Sequence, residues 1–173
     1  MNRNLFDCQS IETIKNGVAA SWKVWNAPRL FTIGYEGKSI AAFVDALIDN
    51  RILALVDVRH NPLSRKPGFS KTAFRSHLEN SGIDYYHIPQ LGIPSQYRRN
   101  LGTEESYRAL FEYYDREILS VNILFIEKIK ELLAQYQRLA ITCFEADYHN
   151  CHRHRITHFM SQDAASDIEI VHL

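Results

Sequence analysis

Cysteine is scarce in this chain of 173 residues, and its three copies, Cys8, Cys143 and Cys151, are an odd number. A set that small excludes a disulfide framework and predicts reduced thiols in packing or chemical roles. Excess charge is missing as well. Lys plus Arg number 20 and Asp plus Glu number 20, so no overall basic field draws the molecule onto nucleic acid or acidic lipid, and any such attraction must come from local clusters. No apolar run approaches the roughly 20 residues of a membrane helix, and the opening MNRNLFDCQS has no apolar signal core. A soluble, cytoplasmic protein with no membrane partner is expected. The spacing of a phosphate loop is absent too. In GYEGKS only two residues separate Gly34 from Gly37, where wrapping a polyphosphate takes four. ATP or GTP hydrolysis is disfavoured and no cofactor is expected, although Lys38 at a helix start can still hold one phosphate or carboxylate.

What is present is alternation. Residues 1–28 have weak periodicity and read as an N-terminal extension packing on the domain through Trp22 and Trp25; residues 29–173 read as a single α/β domain. LFTIGY, LALVDVR, IDYYHI, LAITCF and IEIVHL are the strands, and SIAAFVDALIDN, with Ser39 as N-cap, opens the series of intervening helices. Strands alternating with helices make a three-layer sandwich around a mostly parallel, five-stranded, doubly wound, Rossmann-like sheet. The first, second and fourth strands are the most apolar and belong in the centre; IDYYHI and IEIVHL carry polar residues suited to the edges. The expected order is 3-2-1-4-5. Its crevice opens at the carboxyl ends of strands one and four.

Three stretches carry chemistry near those ends. Asp57 ends an apolar strand, where a carboxylate is costly unless paired or used, and Arg59 beside it offers the pairing. From Arg59 to His77 the chain has Arg59, Arg65, Lys66, Lys71 and Arg75 and no acid, a local anion site. FEADYHNCHRHRI crowds Glu145, His149, Cys151, His152 and Arg153 behind the fourth strand. In HRITH, Arg155 stands where a zinc protease needs a glutamate, which weakens that reading. A zinc ion on Cys143, His149 and Cys151 suits the donor types, but the spacing matches no closed four-ligand pattern, so no structural metal is expected. Cys143, inside a strand, is read as packing. Cys151 at a helix start beside His152 and Arg153 is either a thiol nucleophile or a small buried side chain.

The DVR ending the second strand looks similar to rhodanese-like sulfurtransferases, and the position of Cys151 resembles that of their catalytic loop. The loop departs from theirs, and from that of tyrosine phosphatases, because position 157 is Thr and no glycine follows Cys151. TIGYEG, LVDVRHNPLSRKPGFS, GIDYYHIPQLG and CFEADYHNCHR, in this order, resemble the domain-of-unknown-function 488 family from about Leu30 to the C-terminus. The family's usual TIGHS and LGG stand here as TIGYE and LGI. The resemblance implies an α/β domain and a shared set of Asp57, Arg59, Pro62, Ser64, Arg65, Glu145, Cys151, His152 and Arg153; it carries no reaction with it.

Two classes of function follow. In an enzyme, a hydrolase or transferase, Asp57, Glu145 and His152 handle protons, with Cys151 as the candidate nucleophile. Arg59, Ser64, Arg65, Arg153 and Tyr35 then hold an anionic small molecule, such as a phosphate-bearing one. In a nucleic-acid-binding module the same arginines meet backbone phosphates, and Phe69, Tyr85, Tyr86 and Tyr97 stack on bases.

Overall fold

The computed structural model describes residues 27–98, 101–162 and 167–173. Five strands, β1 (Arg29–Gly34), β2 (Ala54–Asp57), β3 (Asp84–His87), β4 (Arg138–Cys143) and β5 (Glu169–His172), form one sheet in which every pairing is parallel. Helices α1 (Ile40–Asp49), α2 (Lys71–Asn80), α3 (Glu104–Tyr113), α4 (Ile123–Tyr136) and α5 (Arg153–Ser161) connect them. This is the expected α/β architecture. Cys8, Trp22, Trp25 and nearly all of the expected N-terminal extension lie outside the described residues. Among those described, no helix is long and apolar enough to cross a membrane.

Local sequence explains the helix starts. The Ser39 hydroxyl accepts from the Ala42 amide at 3.1 Å, as its position predicts, and Thr103 and Ser106 cap α3 reciprocally. Between α3 and α4 the backbone widens into a π-helical stretch, Tyr114–Leu119, that turns three large side chains, Tyr114, Ile118 and Leu119, into the core. Ile126, Ile129, Leu132 and Leu133 of α4 are buried at helical spacing, each contributing about 1.5–3 kcal/mol.

The strand order is β3-β2-β4-β1-β5. The edges are those expected, but β4 lies between β2 and β1 instead of outside β1. Apolar content separates central from edge strands without ranking the central ones: β4 is buried at all six positions and β1 at five of its six. The consequence is positional. Gly34 of β1 pairs with Cys143, and Asp57 of β2 pairs with Thr142, so three strand ends lie side by side with that of β4 in the middle. The chain crosses from β1 over β4 to β2, and from β4 over β1 to β5. Opposite directions on opposite faces are what a common right hand of crossover requires.

Side chains alternate across the sheet. Phe31, Ile33, Leu55 and Ala140 meet Phe43 and Phe74 of α1 and α2, whereas Leu139, Ile141 and Cys143 face Ile129 of α4 and Ile156 of α5. Cys143 therefore points to the face on which α5 begins. Cys151 and His152 are there.

Candidate functional site

At the end of β2 a buried ion pair fixes the loop that follows. Asp57 is fully buried, and its carboxylate accepts from the Arg59 amide at 3.1 Å, from Arg59 Nε at 2.8 Å, from Arg59 Nη2 at 2.6 Å and from the Tyr85 hydroxyl at 2.7 Å. Arg59 Nη1 donates to the Tyr35 hydroxyl at 3.1 Å and to the Phe69 carbonyl at 2.8 Å. Burial pulls the Arg59 pKa down, but Asp57 more than offsets this and leaves it above the ordinary arginine value. Burial and the Asp57 charge hold Tyr85 protonated well above the usual phenol range. Both carboxylate oxygens are occupied by these contacts, which hold Arg59, Tyr85 and the start of the loop in place. Of the guanidinium, one N–H on Nη2 remains.

The loop itself contributes less than its sequence suggests. Arg65 is exposed and apart from the pocket lining. The Ser64 hydroxyl accepts from the Lys66 amide at 3.2 Å, a turn contact, and Lys66 Nζ reaches back to the Tyr35 carbonyl at 2.8 Å. The proposed base-stacking aromatics are mostly committed inward. Phe69 stacks on Tyr35 at 4.5 Å, the Tyr85 hydroxyl serves Asp57, the Tyr86 hydroxyl bonds that of Tyr136 at 2.8 Å, and Tyr97 lies over Tyr113.

At the end of β4 the chain leaves the sheet through Phe144 to Asn150 and returns at Cys151, which brings two thiols and an imidazole together. Nδ1 of His152 is 3.8 Å from Cys143 Sγ and 3.9 Å from Cys151 Sγ, and the three donor atoms all lie within 4.8 Å of one another. All three residues are buried. Nε2 of His152 lies 3.2 Å from the Val58 carbonyl. A carbonyl only accepts, so Nε2 carries a proton there and Nδ1 faces the two sulfurs. A hydrogen bond with Cys151, helped by His152 and Arg98 against the cost of burial, holds the Cys143 thiol well below its usual range. Burial and the neighbouring Cys143 push Cys151 well above it.

Around this group the polar accounts are incomplete. Arg98 Nη2 pairs with Glu145 Oε1 at 2.6 Å, yet Arg98 Nε and Glu145 Oε2 are buried with no partner. Burial and the nearby Cys143 raise the Glu145 pKa, with Arg98 opposing them. Arg153 is completely buried, and its guanidinium meets only carbonyls, those of Glu145 at 2.9 Å and Ala146 at 3.5 Å; its Nε and Nη1 have no partner. Gly34 makes the room. A Cβ there would lie 1.8 Å from the Glu145 carbonyl oxygen and 2.7 Å from Arg153 Nη1.

A pocket of about 110 Å³ opens over these strand ends, with Cys143, His152, Tyr35, Arg59, His60 and Arg98 among the residues lining it. Of the expected site residues, Tyr35, Arg59 and His152 line it directly and Glu145 stands behind Arg98. Asp57, Ser64, Arg65, Cys151 and Arg153 do not line it. The pocket lining includes Cys143, read from sequence as packing, and not Cys151. His149 rests against Tyr148 at 4.0 Å, and His152 takes the position beside the thiols that sequence reading gave to His149. Sequence reasoning also missed Arg98 and His60. Gly92 bears on the second of these, because a Cβ there would fall 2.1 Å from the His60 amide nitrogen, so the loop after β3 packs directly on the loop after β2.

No curated protein and no solved structure matches the chain. The sequence model described as Domain of unknown function DUF488 matches residues 39–160, a span that begins at the N-cap of α1 and ends in α5 and holds Arg59, Arg98, Cys143, Glu145, Cys151, His152 and Arg153. With most of its length covered by that match, from the first helix through the whole strand-end cluster, the chain belongs to the DUF488 family.

Proposed function

We propose that this protein is an enzyme, a hydrolase or transferase, that takes a small anionic substrate, such as a phosphate-bearing one, into the strand-end pocket. The observation that carries the reading is the half-buried Arg98–Glu145 pair beside the pocket, in which one buried nitrogen and one buried oxygen are left unpartnered. Buried polar atoms normally find partners, and a site that leaves several unmet on converging strand ends is built to meet them with a ligand. Arg98, the remaining N–H of Arg59 and His60 supply donors for an anion. Glu145, held above the usual carboxylate range by burial and Cys143, is suited to move a proton. The aromatic side chains turned inward and the small volume argue against an open nucleic-acid platform.

Thermal shift against inorganic phosphate, nucleoside monophosphates and single-stranded DNA is the test. Phosphate-bearing small molecules are expected to stabilise the protein and Arg98→Ala to abolish the effect. Stabilisation by DNA alone, with steep salt dependence, would instead identify a binding module.

A further inference from the structure

We propose that Cys143, Cys151 and His152 are the protein ligands of a zinc ion whose fourth coordination position faces the strand-end pocket. Two sulfurs and one imidazole nitrogen are a donor set that suits zinc, and three protein ligands with one open position characterise a catalytic rather than a structural zinc. Spacing supports the assignment. Tetrahedral zinc with bonds of about 2.3 Å to sulfur and about 2.0 Å to nitrogen separates sulfur from nitrogen by about 3.6 Å and sulfur from sulfur by about 3.8 Å. Here the sulfur–nitrogen distances are 3.8 and 3.9 Å, and all three atoms lie within 4.8 Å. Shifts of a few tenths of an ångström close the first two.

Orientation is the second argument. A ligating histidine usually donates its other N–H to a carbonyl or carboxylate, which fixes ring and tautomer. His152 does this through Nε2 and the Val58 carbonyl, which aims the Nδ1 lone pair between two sulfurs. A disulfide between the thiols would leave that lone pair without a purpose.

Access is the third. Cys143 and His152 are among the residues lining the pocket and Cys151 is not, so an ion among the three lies at the edge of the cavity. Charge completes the case. Two thiolates neutralise a dication and Arg98 pairs with Glu145, so the ion adds no unbalanced charge to the strand ends. This departs from the sequence expectation of no structural metal, because the third ligand is next to Cys151 in the chain and no spacing rule marks it.

The site is tested by metal content and so does not depend on whether the pocket is catalytic. The full chain, without an affinity tag, is reduced and stripped under anaerobic conditions, then titrated with Co²⁺ and back-titrated with Zn²⁺. We expect one equivalent of cobalt with the intense visible bands of a tetrahedral ion and sulfur-to-cobalt charge transfer, displaced by zinc. Cys143→Ser and Cys151→Ser should each reduce the charge-transfer intensity, and His152→Ala should weaken zinc by about tenfold or more. Lys128→Gln, an exposed change on α4 that leaves all three ligands, should keep full uptake. Failure of the reduced wild-type chain to take up either metal, or uptake without sulfur-to-cobalt absorption, overturns the proposal without reference to any variant's folding. Phosphate stabilisation is read in parallel on both the stripped and the zinc-loaded chain: its absence from both counts against the enzyme reading, and absent metal uptake alone counts against the zinc.

Discussion

Two guanidinium groups are buried at the ends of adjacent strands, and their surroundings differ. Arg59, after β2, faces the Asp57 carboxylate, a phenol and a carbonyl. Arg153, after β4, faces two carbonyls and no carboxylate. Both sites are equally dry, so burial alone separates nothing; what differs is whether the partners are complete. A nearly complete set, as at Arg59 with one N–H left over, means that the interactions repay most of the desolvation within the fold itself. An incomplete one means that the fold carries a cost at that point, and such costs gather at functional sites. Under the proposed function, Asp57–Arg59 fastens the loop after β2 and the end of β4 is the working end.

The strongest test of this contrast is to unfasten the first site. Asp57→Ala leaves Arg59 buried without its acid and removes the acceptor of Tyr85, so a loss of about 3–5 kcal/mol in urea unfolding is expected. A loss below about 1 kcal/mol would mean that the pair is no more than a surface-like contact. Arg153→Met is the counterpart at the second site. It removes a buried charge that has no acid to pair with and keeps most of the volume, so stability should stay within about 1 kcal/mol of wild type, on the stabilising side. A cost equal to that of Asp57→Ala would break the comparison and show that the two arginines are structural in the same sense.

The same contrast explains what the sequence discloses. Asp57 and Arg59 are two residues apart in the chain, so their pairing is a local matter and was legible, as were the Ser39 cap and the edge positions of the polar strands IDYYHI and IEIVHL. The order of β1 and β4 was not, because both are continuously apolar and either fits the centre. With that order hidden, the place of Cys143 between the ends of β1 and β2 was hidden too, and a cysteine in a strand reads as core. Its meeting with His152 depends further on the loop 144–152 folding back to the face that β-alternation gives Cys143. Arg98 sits on a short turn, Ser95–Arg98, outside any regular pattern, and reaches Glu145 across 47 positions of chain. Contacts of that kind follow from tertiary placement and from no periodicity.

The smallest expected effect is also the most direct reading of the Arg153 charge. His172, at the end of β5, lies flat on Tyr148 at 3.7 Å and sets Nδ1 2.7 Å from the Thr32 hydroxyl. Its pKa is lowered from the ordinary histidine value, first by burial and then by Arg153, His149 and His154. With the folded-state pKa below the unfolded one, the neutral ring favours the fold. The contribution is complete above the unfolded value, about 6.5, and is lost as pH falls through the lowered folded value. His172→Gln should therefore flatten part of the decline in stability on acidification below neutrality. A guanidinium matched by a carboxylate exerts little net field beyond the pair, whereas one that meets only carbonyls is felt. The His172 titration followed by NMR in Arg153→Met should accordingly move up toward the ordinary histidine range, and a titration unchanged by that substitution would mean that the Arg153 charge is already balanced within the fold.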